Sequence, residues 1–294
     1  MPAKPSCCRA PYFHVTVTVP AELRDVLRAN QRDGYAALMQ AAAESIVELA
    51  RDKRYVGGTV GVLAVLHTWT GQLVYHPHVH CLVTGGGVSA DGRSWCPARP
   101  DYLVPTAALA KLVRGKLKAA LEKRRPDLVL PEAAWRKPWV VHCTAWGNGA
   151  DAVLEYLARY VYRVAITNGR IVGLDDTGVT IRHKERASGR WLRTRLNGHE
   201  FMRRFLQHVL PKGLHKIRYY GLWHPSRREQ AARARLLLQL DQPTTPSGAG
   251  ETRDDAVACP PSSDTSETVR VCPSCKQRSL VPVGRLYPRQ ASGP

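Results

Sequence analysis

The stretch His76-Pro77-His78-Val79-His80-Cys81-Leu82-Val83, followed by Gly85-Gly86-Gly87, decides how this chain is read. Side chains alternate faces along an extended segment, so His78 and His80 point one way and Val79 the other. Two neutral imidazoles side by side are a ready ligand pair for a divalent metal. A chance histidine cluster at a strand start, packed or solvated, would look the same, and the pentapeptide alone does not choose.

The flanking sequence supplies more strands. Tyr12 to Val19 is a β-rich run that stops at Pro20, and Thr59 to Thr68 is a second such run. Between them residues 34–53, rich in Ala, Leu and Glu with apolar residues at helical spacing, predict a helix. Asp91-Gly92 marks a turn. Ala107 to Glu122 reads as a basic amphipathic helix, with Lys111, Arg114, Lys116, Lys118 and the adjoining Lys123 on or near its polar side. Trp139 to Thr144 is a short strand, and Asp151 to about Tyr162 is helical in pattern. Arg170–Leu174 and Val179–Lys184 flank Asp175-Asp176-Thr177-Gly178, a hairpin signal, and Trp191–Leu196 supplies another strand. Asn197 opens a helix that runs to Pro211, Leu214–Leu222 is extended, and Pro225–Leu240 is helical. From Asp241 to Arg270 Pro, Thr, Ser, Gly and Asp dominate, which predicts a disordered linker. No internal repeat is evident. Strands interspersed with helices at irregular spacing predict an α+β domain with a largely antiparallel sheet over residues 1–240, and a largely disordered tail over 241–294.

Composition narrows the partner. The 294 residues carry 43 Lys+Arg against 24 Asp+Glu, a net charge of +19. From Asp241 onward the six basic and six acidic residues cancel, so the whole surplus sits in residues 1–240. A surplus of that size points to a polyanion, with nucleic acid ahead of a membrane surface. No apolar run reaches the length of a membrane span and no signal peptide is evident. The expectation is a protein of the bacterial cytoplasm, associated with the nucleoid, with no membrane partner. The eight cysteines then read as thiols or metal ligands rather than disulfides.

A second constellation lies in Glu155-Tyr156-Leu157-Ala158-Arg159-Tyr160-Val161-Tyr162-Arg163. Tyr156 and Tyr160 are four apart, so on a helix they share a face, whereas Tyr162 falls on another. A phenol with a free pKa of about 10 is a poor nucleophile while protonated. Near a metal and a cation such as Arg159 or Arg163 its oxyanion becomes accessible and can attack a phosphate. Two half-buried aromatics on an amphipathic helix would show the same spacing.

A histidine pair on a strand, a paired-tyrosine helix downstream and a strongly basic body together resemble the HUH endonucleases, named for two histidines around a hydrophobic residue, here His78-Val79-His80. Among them the chain resembles the two-tyrosine rolling-circle transposases of bacterial insertion sequences. The resemblance runs through Pro11-Tyr12-Phe13-His14-Val15, Val65-Leu66-His67-Thr68-Trp69, His76–Cys81, Tyr156–Tyr160 with Arg163–Ile166, and Phe201–Leu206 with His208–Gly213, and so covers residues 11 to 225. It implies that His78 and His80 hold Mg2+ or Mn2+ and that the ion polarises a phosphate of single-stranded DNA. It implies that Tyr156 or Tyr160 attacks to give a 5′-phosphotyrosine and a free 3′-hydroxyl, with the other tyrosine serving a second strand transfer. It also implies an antiparallel sheet with the histidines on a central strand and the tyrosines on a facing helix.

For a third ligand the sequence leaves His76 and His67 open, with His142 and Gln72 as weaker candidates. Lys216-Ile217-Arg218-Tyr219-Tyr220 interleaves cations and aromatics, which suits stacking on unpaired bases or equally a strand with one aromatic face in the core. The 107–124 helix is a candidate contact for a duplex or hairpin backbone. Relatives of this kind carry an N-terminal zinc module of Cys pairs; here only the adjacent Cys7-Cys8 stand before the first strand, so the N-terminus reads as truncated. Cys272-Pro273-Ser274-Cys275, even with Cys259, falls short of the four ligands of a structural Zn2+. Two other functions fit the same residues: a replication-initiator or relaxase-type nickase, and an inactive single-stranded DNA-binding remnant.

Overall fold

Side chains alternate between the two faces of each long strand, and the fold follows from how those faces are covered. The computed structural model describes residues 11–162, 165–185 and 188–240. Cys7, Cys8, Arg163 and everything from Asp241, including Cys259, Cys272 and Cys275, lie outside them. In chain order the strands are β1 (Pro11–Thr18), β2 (Gly61–Trp69), β3 (Tyr75–Thr84), β4 (Gly86–Val88), β5 (Trp95–Pro97), β6 (Val140–Asn148), β7 (Ile171–Asp175), β8 (Gly178–Lys184), β9 (Trp191–Leu196) and β10 (Ile217–Gly221). The helices are α1 (Arg24–Ala29), α2 (Gln31–Arg51), α3 (Thr106–Arg124), α4 (Ala133–Arg136), α5 (Gly149–Tyr156), α6 (Gly198–Leu206) and α7 (Arg228–Leu240).

Five strands form an antiparallel sheet in the order β10-β2-β3-β1-β6, with the histidine strand β3 in the middle. One face carries Val15, Val17, Val62, Ala64, Leu66, Val79, Cys81 and Val83, buried under α2 and α3. Burying each such aliphatic side chain contributes roughly 1.5–3 kcal/mol, so this face anchors the domain. The opposite face carries Tyr12, Leu63, Val65 and Leu82, packed against Tyr156 and Val153 of α5, and beside them the histidines. The α+β architecture expected from the sequence is therefore the one observed. Cys81, Cys96 and Cys143 are free thiols.

Pro77 sits inside β3 although proline cannot donate to a ladder. It is tolerated because pairing with β1 ends at Thr18↔His78 and pairing with β2 is interrupted by a bulge between His67 and Trp69. At the turn joining β2 and β3, Leu73 adopts φ +60 with its side chain fully buried. His208 holds that turn: Nε2 donates to the Leu73 carbonyl at 3.1 Å, while Nδ1 accepts from Thr68 Oγ1 at 3.1 Å. Helix α6 stops at Leu206, short of the Pro211 end expected from the sequence, and tight turns from His208 N to the Phe205 carbonyl and from Val209 N to the Leu206 carbonyl follow it.

Three strands, β7-β8-β9, form a separate antiparallel sheet whose inner side chains Val179, Ile181 and Leu196 pack with Leu73, Ala165 and Trp69. The Asp91-Gly92 turn lies between β4 and β5, a short hairpin whose brevity left no periodic signal. Where β10 meets β2, Gly221 takes φ +60, and a Cβ there would stand 1.9 Å from the Val60 carbonyl oxygen. That carbonyl accepts from Leu222 N, so it has no room to retreat. Gly221→Ala is expected to cost about 3 kcal/mol, from left-handed strain plus the clash. An unchanged urea-unfolding midpoint would refute the geometry.

Candidate active site on the histidine face of the sheet

Strand register assembles the histidines. His67 of β2 lies directly across from His78 of β3, and His80 lies across from Thr16 of β1. Because cross-strand partners share a face, His67, His78, His80, Thr16 and His14 all project to the side covered by α5. His67, His78 and His80 each offer a ring nitrogen, and these lie within 4.8 Å of one another. Three nitrogens spread evenly on one ion, each about 2.1 Å from it, stand at most about 3.6 Å apart, so the trio shares an ion only after drawing in by up to about 1.2 Å.

Hydrogen bonds orient each ring for that task. His78 Nδ1 donates to the His76 carbonyl at 2.7 Å, leaving the lone pair on Nε2. His67 Nε2 donates to the Tyr160 carbonyl at 2.8 Å, leaving the lone pair on Nδ1. His80 Nδ1 lies 2.9 Å from His14 Nε2 and 3.2 Å from Thr16 Oγ1. Burial, reinforced by the positive charge of Arg159, lowers the His14 pKa to about 4, so His14 is neutral near pH 7 and accepts the His80 proton. Such outer partners fix tautomer and ring orientation in metal-binding histidines. His14 and Thr16 escaped the sequence reading because cross-strand register is a long-range property.

The other proposed ligands go elsewhere. Arg24 donates from Nη2 to His76 Nδ1 at 2.8 Å, which occupies the lone pair His76 would need. His142 is exposed on β6, paired with Thr16, and Gln72 reaches His183 at 3.4 Å. Neither joins the trio.

The two tyrosines are brought together but in unequal surroundings. Helix α5 ends at Tyr156, and Leu157–Val161 form a π-helical turn, closed by Tyr162 N donating to the Leu157 carbonyl at 3.1 Å. Single π turns inside helices recur at functional sites. The two rings are 5.0 Å apart, and Tyr160 lies over the histidines, its centroid 4.3 Å from His80 and 4.7 Å from His14. Tyr156 is fully buried, and its hydroxyl donates to the His80 carbonyl at 2.9 Å, with the Leu63 carbonyl 3.4 Å away. Burial drives its pKa well above the ordinary tyrosine value. Tyr156→Phe is expected to lower stability by about 1 kcal/mol, the net worth of such a bond, measured by urea denaturation. A loss above about 3 kcal/mol would show that the ring, not the hydroxyl, had been disturbed. Tyr162 is 76% exposed, away from the pair.

Arg159 pairs with Glu155 at 2.6 Å and lies over the Trp146 ring at 5.3 Å, beside the site. The run at 216–220 is divided by strand alternation. Tyr219, across from Leu63, is on the histidine face, whereas Arg218 and Tyr220, across from Ala64 and Val62, are on the face that packs α2. Burial raises the Tyr220 pKa, and Lys216 is partly buried. The basic helix α3 is also on the α2 side, with Lys116 paired to Glu48 and Lys118 to Glu122.

A family described as "Putative transposase" matches residues 61–231, which include the histidine strand, both tyrosines and β10. The chain belongs to the two-tyrosine (Y2) transposase family. It is 35% identical over 294 aligned positions to "Putative transposase y4qJ" of Sinorhizobium fredii, covering 92% of this chain and 73% of that protein. It is 26% identical over 241 positions to "Transposase for insertion sequence element IS801" of Pseudomonas savastanoi pv. phaseolicola, covering 74% of this chain and 54% of the relative. No solved structure matches. Among the described residues no helix of this family member is long and apolar enough to cross a membrane.

Proposed function

We propose that the chain is a metal-dependent DNA strand transferase of the HUH type, which cuts and rejoins single-stranded DNA through a 5′-phosphotyrosine and mobilises an insertion sequence by a rolling-circle route. The observation that carries this reading is the packing of the tilted Tyr160 ring against His80 and His14, with its own backbone carbonyl tied to His67. A phenol held against a trio of metal-competent imidazoles suits phosphoryl transfer.

The donor set fits a divalent ion, and three imidazoles suit Mn2+ better than Mg2+, which favours oxygen ligands. Such an ion, when bound, polarises the scissile phosphate and offsets the charge that develops there. The chain's residues do the rest. Tyr160 Oη forms the new bond to phosphorus, the bond from phosphorus to the 3′-oxygen breaks, and the phenolic proton ends on the released 3′-hydroxyl. The bond energy is kept in the phosphotyrosine, so rejoining needs no ATP. Tyr160 is the better placed for the first attack, because Tyr156 is buried with its proton committed to a carbonyl. Tyr156 serves the second transfer, and Arg159 and Tyr219 lie near enough to the histidine face to hold the strand; Arg163, Lys216, Arg218 and Tyr220 remain proposed DNA contacts on the sequence alone.

The test is a denaturing gel. Wild-type protein with 5′-labelled single-stranded DNA carrying element ends is expected to leave labelled 3′-ended fragments and unlabelled covalent protein–DNA adducts, which an internal label reveals, in Mn2+ but not in chelator. No adduct with any divalent ion would overturn the mechanism, and binding without cleavage would favour the remnant reading.

A further inference from the structure

The sheet β7-β8-β9 has an outer face that nothing in the site above uses. Its inner face is spent on Val179, Ile181 and Leu196, and on His183, whose Nε2 meets Thr194 Oγ1 at 3.0 Å. Strand alternation therefore sends Arg182 and Lys184 of β8 and Trp191, Arg193 and Arg195 of β9 to the other side, and all five are exposed. The register sets Arg182 directly across from Arg193, and Lys184 across from Trp191. Like charges directly opposite on neighbouring strands destabilise a sheet. Among the described residues Arg182, Lys184 and Arg193 have no carboxylate partner, and Asp175 is already paired to Arg195 at 2.6 Å. Uncompensated cations in facing positions are what a polyanion would relieve.

Trp191 adds a second feature. It is 59% exposed, and the Arg182 guanidinium lies 5.2 Å from its ring centroid. A large indole propped flat on one side by a cation offers its other face for stacking. Cations that track a backbone beside an aromatic platform suit an unpaired strand, since only unpaired bases expose their faces. The small sheet also adjoins the site: its core includes Trp69, whose ring stacks on His67 at 4.5 Å, and Arg170 anchors it to the Gly71 carbonyl.

We propose that the outer face of β8 and β9, with Arg182, Lys184, Trp191 and Arg193, is a second binding surface for single-stranded DNA, holding a segment that flanks the strand being cut. This rests on the single-stranded DNA reading above. The test measures fluorescence-anisotropy titrations of the full chain with oligo(dT) of about 10 and about 30 nucleotides, and with a 30-base-pair duplex, across a salt series. Two variants are used, Arg182→Gln with Arg193→Gln, and Trp191→Ala; both change exposed residues, and circular dichroism checks their folding. The double variant is expected to flatten the salt dependence for the long oligonucleotide by about 1.4 in log–log slope, at about 0.7 per lost contact. Trp191→Ala is expected to weaken long-oligonucleotide binding by at least about fivefold, the lower end for one stacked base. Both are expected to affect the short oligonucleotide less. If the wild type binds single strands and both variants match it in affinity and slope, this proposal fails alone. If the variants lose only duplex binding, the single-strand assignment is overturned. A wild type that binds no DNA overturns the proposed function as well.

Discussion

Tyr160→Phe is expected to abolish the covalent protein–DNA adduct, lowering its rate of formation by at least about a thousandfold, as removal of a nucleophile does. That corresponds to about 4 kcal/mol of lost transition-state stabilisation. The substitution deletes one oxygen and keeps the ring, so the ring contacts with His80 and His14 and the backbone bond from His67 to residue 160 persist. The protein should therefore fold, bind single strands and fail only in chemistry. Tyr156→Phe should behave differently, forming the first adduct at near wild-type rate and failing in the second strand transfer. An adduct that survives Tyr160→Phe but vanishes in Tyr156→Phe would reverse the assigned order, and one that survives both changes together would remove tyrosine from the mechanism.

His80→Ala should weaken Mn2+ binding by about a hundredfold in isothermal calorimetry, at the upper end of what disrupting a metal site costs. In free energy that is about 2.7 kcal/mol. His78→Ala and His67→Ala should match it, because the three nitrogens form one cluster. His76→Ala supplies the contrast. Its Nδ1 is already engaged by Arg24, so its loss should change Mn2+ affinity no more than about twofold. If His76→Ala proved as damaging as His80→Ala while His67→Ala did not, the third ligand would be His76. Adduct formation should fall in parallel with Mn2+ affinity across the series.

Much of this was legible in the chain because the signals were local. The strands near residues 12–19, 59–68 and 77–83 announce themselves by runs of β-branched and other apolar residues, and the paired tyrosines by spacing. What could not be read was pairing between distant segments. His67 and His76 looked equivalent as third ligands until β2 was set beside β3 in a register that puts His67 across from His78, while Arg24 reached His76. His14 was visible as one residue of a strand, but its bond to His80 spans 66 positions. The run at 216–220, left open between base stacking and a strand with one aromatic face in the core, shows the same limit: alternation in β10 divides it between two faces. The basic outer face of β8 and β9 passed unnoticed because its charges are interspersed with Leu192, Thr194 and His183 and converge only when the strands pair.

The π turn at Leu157–Val161 also constrains how this chain tolerates change in length. A turn closed over one extra residue lets a four-residue step come nearly full circle, so Tyr160 stands beneath Tyr156 rather than drifting past it. Deleting a single residue between Leu157 and Arg159 would let the α-helical ladder run on and leave the second phenol three residues, or about 300°, round the axis instead of nearly a full turn. The interval between the tyrosines is thus coupled to a local backbone irregularity, and an insertion or deletion there would separate them from the histidines while leaving every site residue in the sequence.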